Sequence, residues 1–263
     1  MNGIESIANA FARAKAGHRA ALMPYMTLGY PTPTDTIEVV KAIAAAGADL
    51  IELGVPFSDP LADGPTVQHS SQVALSQGMT SRRCLELVKT LRDQGITQPF
   101  LLMGYINPIL AFGPERYIAA AKNAGAQGLI VPDLPLEEAG AIEAGCQENG
   151  LALVYLIPPT ASEARIRQVA AHSSGFIYLV SITGVTGARK ALPADLEAFT
   201  RRVHALTPLP LAVGFGISTP EQARTVGAMA DGVIVGSALV DAVGKAVHPA
   251  ATAAEFIRGL RGA

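Results

Sequence analysis

The sequence predicts an α/β protein of the (βα)8 TIM-barrel class, with an extra N-terminal helix and long loops after the second and sixth strands. Three observations carry that expectation. Eight short apolar runs, at 21–29, 50–56, 100–106, 128–135, 151–159, 176–184, 211–218 and 232–240, alternate with helical patterns. The runs are continuously apolar, as strands are when a parallel sheet is covered by helices. Eight such units in 263 residues match the size of this barrel. A doubly wound open sheet would favour a glycine-rich dinucleotide turn after the first strand, and TLGYPTPTD is not one.

The elements follow in order. The N-terminal segment MNGIESIANAFARAKAG sets Ile4, Ile7, Ala8 and Phe11 at helical spacing and lacks the apolar core and cleavage site of a signal peptide. Helical patterns then separate the strands: TDTIEVVKAIAAAGA, SRRCLELVKTLRDQG, ERYIAAAKNAGA, SEARIRQVAAHSS and TPEQARTVGAMA. AAAGADLIELG, KNAGAQGLIVPD and GAMADGVIVGS each pass from helix to strand through small residues, where glycine accepts the left-handed backbone that stops a helix. No linker or shift of composition divides the chain, so residues 1–263 are expected to form a single barrel domain. Two connections are longer than the usual 2–6 residues, 57–78 and 184–193. Both follow strands, which puts them on the face where barrels keep their chemistry.

Composition narrows the function classes. With 20 basic and 22 acidic residues interleaved along the chain, no basic stripe offers itself to nucleic acid. Every apolar run is well short of the roughly 20 residues a bilayer requires. The two cysteines, Cys84 and Cys146, fall in helical patterns and indicate no disulfide framework. A soluble, cytoplasmic protein is the expectation. The five histidines are scattered without metal-ligand spacing, so no metal site is expected.

One strand carries an anomaly. In LIELGV, Ile51, Leu53 and Val55 fit the helix layer, which turns Leu50, Glu52 and Gly54 into the barrel. A carboxylate there is desolvated, its pKa rises toward neutrality, and it suits general acid–base work. No apolar strand supplies a lysine or arginine to pair with it. The following loop, GVPFSDPLADGPTVQ, adds Asp59, which reads as turn chemistry before Pro60, and Asp63, set before a helix beginning near Pro65. Glycine-rich turns GVTGAR, GFGIS and VGSALV close the last three runs. Backbone N–H groups at Gly216, Gly236 and Ser237 form a candidate phosphate cradle. Tyr25, Tyr105 and Tyr178 lie in apolar runs and read first as core, although a buried phenol needs a hydrogen-bond partner. The residues by themselves point to a phosphate-binding barrel whose interior carboxylate does acid–base work.

PYMTLGYP, ELGVPFSDPLADGPTVQ, MGYINPIL, GLIVPDLP, YLVSITGVTGAR, VGFGIS and ADGVIVGSALV occur in this order from end to end. Together they resemble the tryptophan synthase alpha chain family, the second block most specifically. The resemblance implies retro-aldol cleavage of indole-3-glycerol phosphate to indole and glyceraldehyde 3-phosphate, late in L-tryptophan biosynthesis. It implies catalytic roles for Glu52 and Asp63, with Tyr178 supporting the substrate beside them. Gly187, Gly216, Gly236 and Ser237 then belong to the phosphate site. Tyr25, Met103 and Phe215 line the indole pocket, and Thr186 meets Asp63 when the site closes. No cofactor on this chain is implied. The implied partner is a pyridoxal-phosphate beta chain, in an allosterically coupled alpha2-beta2 tetramer. Two alternatives stand beside this reading: another phosphate-binding barrel lyase or isomerase, and a non-catalytic subunit that only activates a beta chain.

Overall fold

The structure, a computed structural model, describes residues 2–180, 195–214 and 216–261. Among these, nine parallel segments form one sheet: β1 Ala21–Thr27, β2 Ile51–Gly54, β3 Phe100–Met103, β4 Gly128–Ile130, β5 Ala152–Val154, β6 Leu156–Ile157, β7 Ile177–Val180, β8 Leu211–Gly214 and β9 Gly232–Val235. Their order is β5-β4-β3-β2-β1-β9-β8-β7-β6. The two ends of that order are neighbours in sequence, separated by Tyr155 alone, so one stretch of chain brings the sheet round into a barrel.

Eight strands were expected and all eight are present, the fifth divided in two. β5 pairs with β4 and β6 with β7, and the chain changes partner at Tyr155. There the Tyr155 carbonyl accepts from the Tyr178 N–H at 3.1 Å. The Tyr155 N–H turns aside to the Ser173 hydroxyl at 3.4 Å.

The apolar runs overshoot the strands at their C-terminal ends. The run 232–240 leaves the sheet at Val235, and its remainder opens helix α11, Ser237–Lys245, with Leu239 and Val240 buried. Strand and helix read alike there because both bury apolar side chains, and the break is local, at Gly236. The run 100–106 likewise ends at Met103, and Ile106 begins a short helix, Ile106–Phe112.

Helices cover the outside. Capping explains several starts: Asn2 and Glu5 form a capping box on α1, Gly3–Ala16, and Thr32, Thr80, Ser162 and Thr219 each accept from a first-turn N–H. The buried stripe of α1 includes Ile7, Ala10, Phe11 and Ala14. Its Phe11 ring meets Phe176 at 5.5 Å, just before β7, so the extra helix covers the N-terminal end of the barrel. Each aliphatic side chain fully buried this way contributes about 1.5–3 kcal/mol.

The long connection after β2 is not one loop. Its irregular part ends at Gly64, and α3, Pro65–Ser76, follows with proline in its first turn. The second predicted long loop, 184–193, lies outside the described residues.

Candidate active site

Glu52 sits inside β2, where alternation directs it into the barrel, and only 1% of it is exposed. It lines a cavity of about 470 Å³, open mouth included, at the C-terminal ends of the strands. Tyr25, Met103 and Tyr178 reach the same cavity from β1, β3 and β7. Asp63 and Val67 close it from the end of the β2 loop and the first turn of α3. Gly216, Gly236 and Ser237 also line it, from the chain that leaves β8 and β9.

The strand glycines are placed for a steric reason. A Cβ on Gly54 would overlap the Tyr25 hydroxyl, and one on Gly214 would overlap the Tyr178 hydroxyl. The hydroxyl end of each phenol therefore occupies space on a neighbouring strand that only glycine leaves open.

Electrostatics separates the two acids. Burial pushes the Glu52 carboxyl up to about 8, with the negative charge of Asp63 adding to the rise. Neither Glu52 oxygen has a hydrogen-bond partner among the described residues. Burial pushes Asp63 up to about 6, and a hydrogen bond from Tyr105 holds it from rising further. At pH 7 Glu52 is therefore mainly protonated and Asp63 mainly ionised. Asp59 is exposed, in keeping with its reading as a turn residue.

Gly236 caps α11 without a side-chain hydrogen bond, and no acidic residue lies in that helix's first turn. The first N–H groups of a helix have no intrahelical acceptor and carry the positive end of its dipole, so this terminus suits an anion. Among the described residues no cluster of three or more histidine, cysteine or acidic groups could hold a metal ion.

Tyr25, Glu52, Asp63, Met103, Tyr178, Gly216, Gly236 and Ser237 thus surround one cavity. Thr186, Gly187 and Phe215 lie outside the described residues. Tyr105, which reads as core from the sequence, also belongs to the site. It lies beyond the end of β3, and its hydroxyl accepts from the Ala62 N–H at 3.0 Å while bonding Asp63. The signal was its buried phenol, which needed a partner that only the fold reveals.

Comparison with known proteins bears on this site. Residues 11–259 match the family model described as tryptophan synthase alpha chain. The chain belongs to the tryptophan synthase alpha chain family. It is 49% identical to the tryptophan synthase alpha chain of Roseiflexus castenholzii, over 97% of this chain and 99% of that one. The alpha chain from Legionella pneumophila superposes with a TM-score of 0.90 at 35% identity, covering 100% of this chain and 97% of that one. A Mycobacterium tuberculosis tryptophan synthase structure gives 0.89 at 35% identity, covering 97% and 98%. As a tryptophan synthase alpha chain the protein is a lyase of tryptophan biosynthesis, built on a TIM barrel.

Proposed function

We propose that Glu52 and Asp63 divide the acid–base work of a retro-aldol cleavage, releasing indole and glyceraldehyde 3-phosphate from indole-3-glycerol phosphate. The observation that carries this reading is that two buried carboxyls line one cavity, where burial raises Glu52 further than Asp63. Breaking the bond between indole C3 and the glycerol carbon requires that C3 first gain a proton. Protonated Glu52 supplies it. Positive charge then develops on the ring nitrogen, and ionised Asp63 stabilises it by accepting from the N–H. The Glu52 carboxylate left behind removes the proton of the glycerol hydroxyl as the C3–carbon bond breaks. Its electrons restore the indole ring, and Glu52 ends protonated as it began.

The glycine-rich part of the lining binds the phosphate. Gly216, Gly236 and Ser237, with Gly187, offer backbone N–H groups to it, while Tyr25, Met103 and Phe215 hold the indole and Tyr178 supports the reacting carbon. Thr186 meets Asp63 on closure. Both proton transfers are made by side chains of this chain, so the step needs no cofactor here. Indole is the natural output to a pyridoxal-phosphate beta chain, and we read the assembly as an alpha2-beta2 tetramer in the cytoplasm. Among the described residues no helix is long and apolar enough to cross a membrane.

The deciding assay is release of indole from indole-3-glycerol phosphate by the purified chain, with and without a beta chain. Release by the chain alone, stimulated by the beta chain, is the expected result. No release under either condition would reject a catalytic chain and leave a purely activating subunit.

A further inference from the structure

The loop that carries Asp63 is tied to the barrel at few points. At its start Val55 still pairs with β3, its N–H donating to the Met103 carbonyl at 2.7 Å. The next backbone bonds are internal turns, from the Leu61 N–H to the Asp59 carbonyl and from the Asp63 N–H to the Pro60 carbonyl, both at 3.0 Å. Among the described residues two bonds then hold the backbone of 56–63 from outside. Gln68 of α3 donates to the Asp63 carbonyl at 2.8 Å. The Ala62 N–H donates to the Tyr105 hydroxyl at 3.0 Å.

Tyr105 is itself firmly seated, with 4% of it exposed. The N–H groups on either side of it are held by β4 and the turn that follows. Gly104 donates to the Ile130 carbonyl at 3.1 Å, and Ile106 to the Asp133 carboxylate at 2.9 Å. The Tyr105 ring stands 5.4 Å from the ring of Phe57, near the start of the loop. One side chain anchored beside β4 thus meets the β2 loop near its start through the ring and near its end through the hydroxyl. Among the described residues Tyr105 is not part of the cavity lining, so it reaches the chemistry only through the loop.

A hydroxyl that accepts an N–H keeps its own proton to give, and Tyr105 gives it to the Asp63 side chain. The phenol therefore holds the amide before Asp63 and the carboxylate after it. We propose that Tyr105 is a positioning residue, which fixes the Ala62–Asp63 peptide and so keeps the Asp63 carboxylate facing the cavity. The inference deepens the proposed function and rests on Asp63 as the group that stabilises the ring cation. The titratable groups around Asp63 are Glu52 from β2, Tyr25 from β1, Tyr178 from β7 and Tyr105, with Asp133 acting on Tyr105 in turn. None of these is a cation, and a donated hydrogen bond is what favours the charged form of Asp63.

The test begins with amide hydrogen exchange in the ligand-free parent. The Ala62 amide should exchange at least about tenfold more slowly than in an unfolded chain, and exchange at the unfolded rate overturns the proposal. Tyr105→Phe keeps the ring and removes the hydroxyl. Ala62 should then lose its protection. A carbon-13 titration of the Asp63 carboxyl, assigned by its loss in Asp63→Asn, should move upward by about one pH unit, the effect of one lost hydrogen bond. In indole release kcat should fall by up to about a hundredfold, as displacement of a reacting group by about 1 Å does. KM should stay near that of the parent, because the glycine-rich lining is untouched.

Phe57→Leu removes the ring contact and keeps the hydroxyl, so the Asp63 midpoint should stay with the parent. A folded Tyr105→Phe with the parent midpoint and kcat overturns the proposal. An equal shift in Phe57→Leu overturns it too, because loosening of the loop would then suffice. Indole release by the parent is measured first. Its absence would reject the catalytic reading, while Ala62 exchange and the Asp63 midpoint still decide what Tyr105 holds.

Discussion

Tyr25 and Glu52 stand side by side across the β1–β2 ladder, Cα partners in the register, and the barrel wall thereby sets a phenol against a carboxyl in the same cavity. Burial holds both neutral at pH 7: it pushes Glu52 up to about 8, and Tyr25 well above the ordinary phenol value. Tyr178, also buried, is raised in the same sense. Asp63 is then the one of these four groups that carries charge, which is the distribution a cation developing on an indole ring calls for.

Glu52→Gln keeps the shape of the side chain and removes its proton. Turnover should fall about 10²–10⁴-fold, the usual contribution of a general acid–base group, while glycerol phosphate still binds. For the parent, kcat/KM should rise with pH through about 6 as Asp63 ionises and fall through about 8 as Glu52 does. Steady-state kinetics across pH checks both, and a Glu52→Gln turnover within about threefold of the parent would refute the assignment.

Stability should also depend on Glu52. Its folded pKa lies above that of the unfolded chain, from 4.5 to about 8, so the folded state binds the extra proton in that window. Stability is then greatest below the unfolded value and falls as pH rises through about 8. Glu52→Gln should match the parent in acid and exceed it by a few kcal/mol in mild alkali, measured by urea unfolding at both pH values. A difference that does not grow with pH would contradict the sign.

Gly54→Ala should displace Tyr25, because the new methyl group overlaps its hydroxyl and ring. Overpacking of this kind costs about 1–3 kcal/mol, and activity should fall with it. Gly259 in α12, Pro249–Arg261, is the contrast: a Cβ there meets nothing within 4 Å. Gly259→Ala should stabilise by up to about 1 kcal/mol, from helix propensity alone. Thermal unfolding of the two variants separates them, and equal effects would mean that the Tyr25 seat is unimportant.

Gly236→Asp places a negative charge where the α11 N–H groups converge. Binding of glycerol phosphate should weaken at least tenfold, about 1.4 kcal/mol, and binding of free indole much less. Calorimetry with the two ligands reads the difference, and parallel losses would indicate general disruption.

The barrel was legible because its signals are local. The spacing of apolar runs and the left-handed glycines Gly47 and Gly125 past their helix ends each act within a few residues, and each coincides with an element of the fold. In GAMADG, by contrast, the helix ends at Ala228 in a right-handed conformation and Gly227 stays helical. Glu52 was legible for a related reason. Strand alternation has a period of two, so a charged residue in an apolar run must face either solvent or the interior, and helices cover the outside. Strand ends were less legible. Past Val235 and Met103 the apolar pattern continues into helices, because burial selects the same residue types in both elements.

Local patterns in the chain specify the barrel, the extra helix, the inward carboxylate and the glycine turns after β8 and β9. Which groups meet is set by the packing of distant segments. Tyr105 bonds the loop at Ala62 across 43 residues of chain, and Thr27 meets Ser70 across the same span. Tyr25 lies over Gly54, and the fifth strand divides at Tyr155 where the barrel closes. Such partnerships depend on strand register and ring closure, which fix distances between residues remote in sequence. A periodic pattern records which side of a strand is buried, and nothing in it records the neighbour on the next strand.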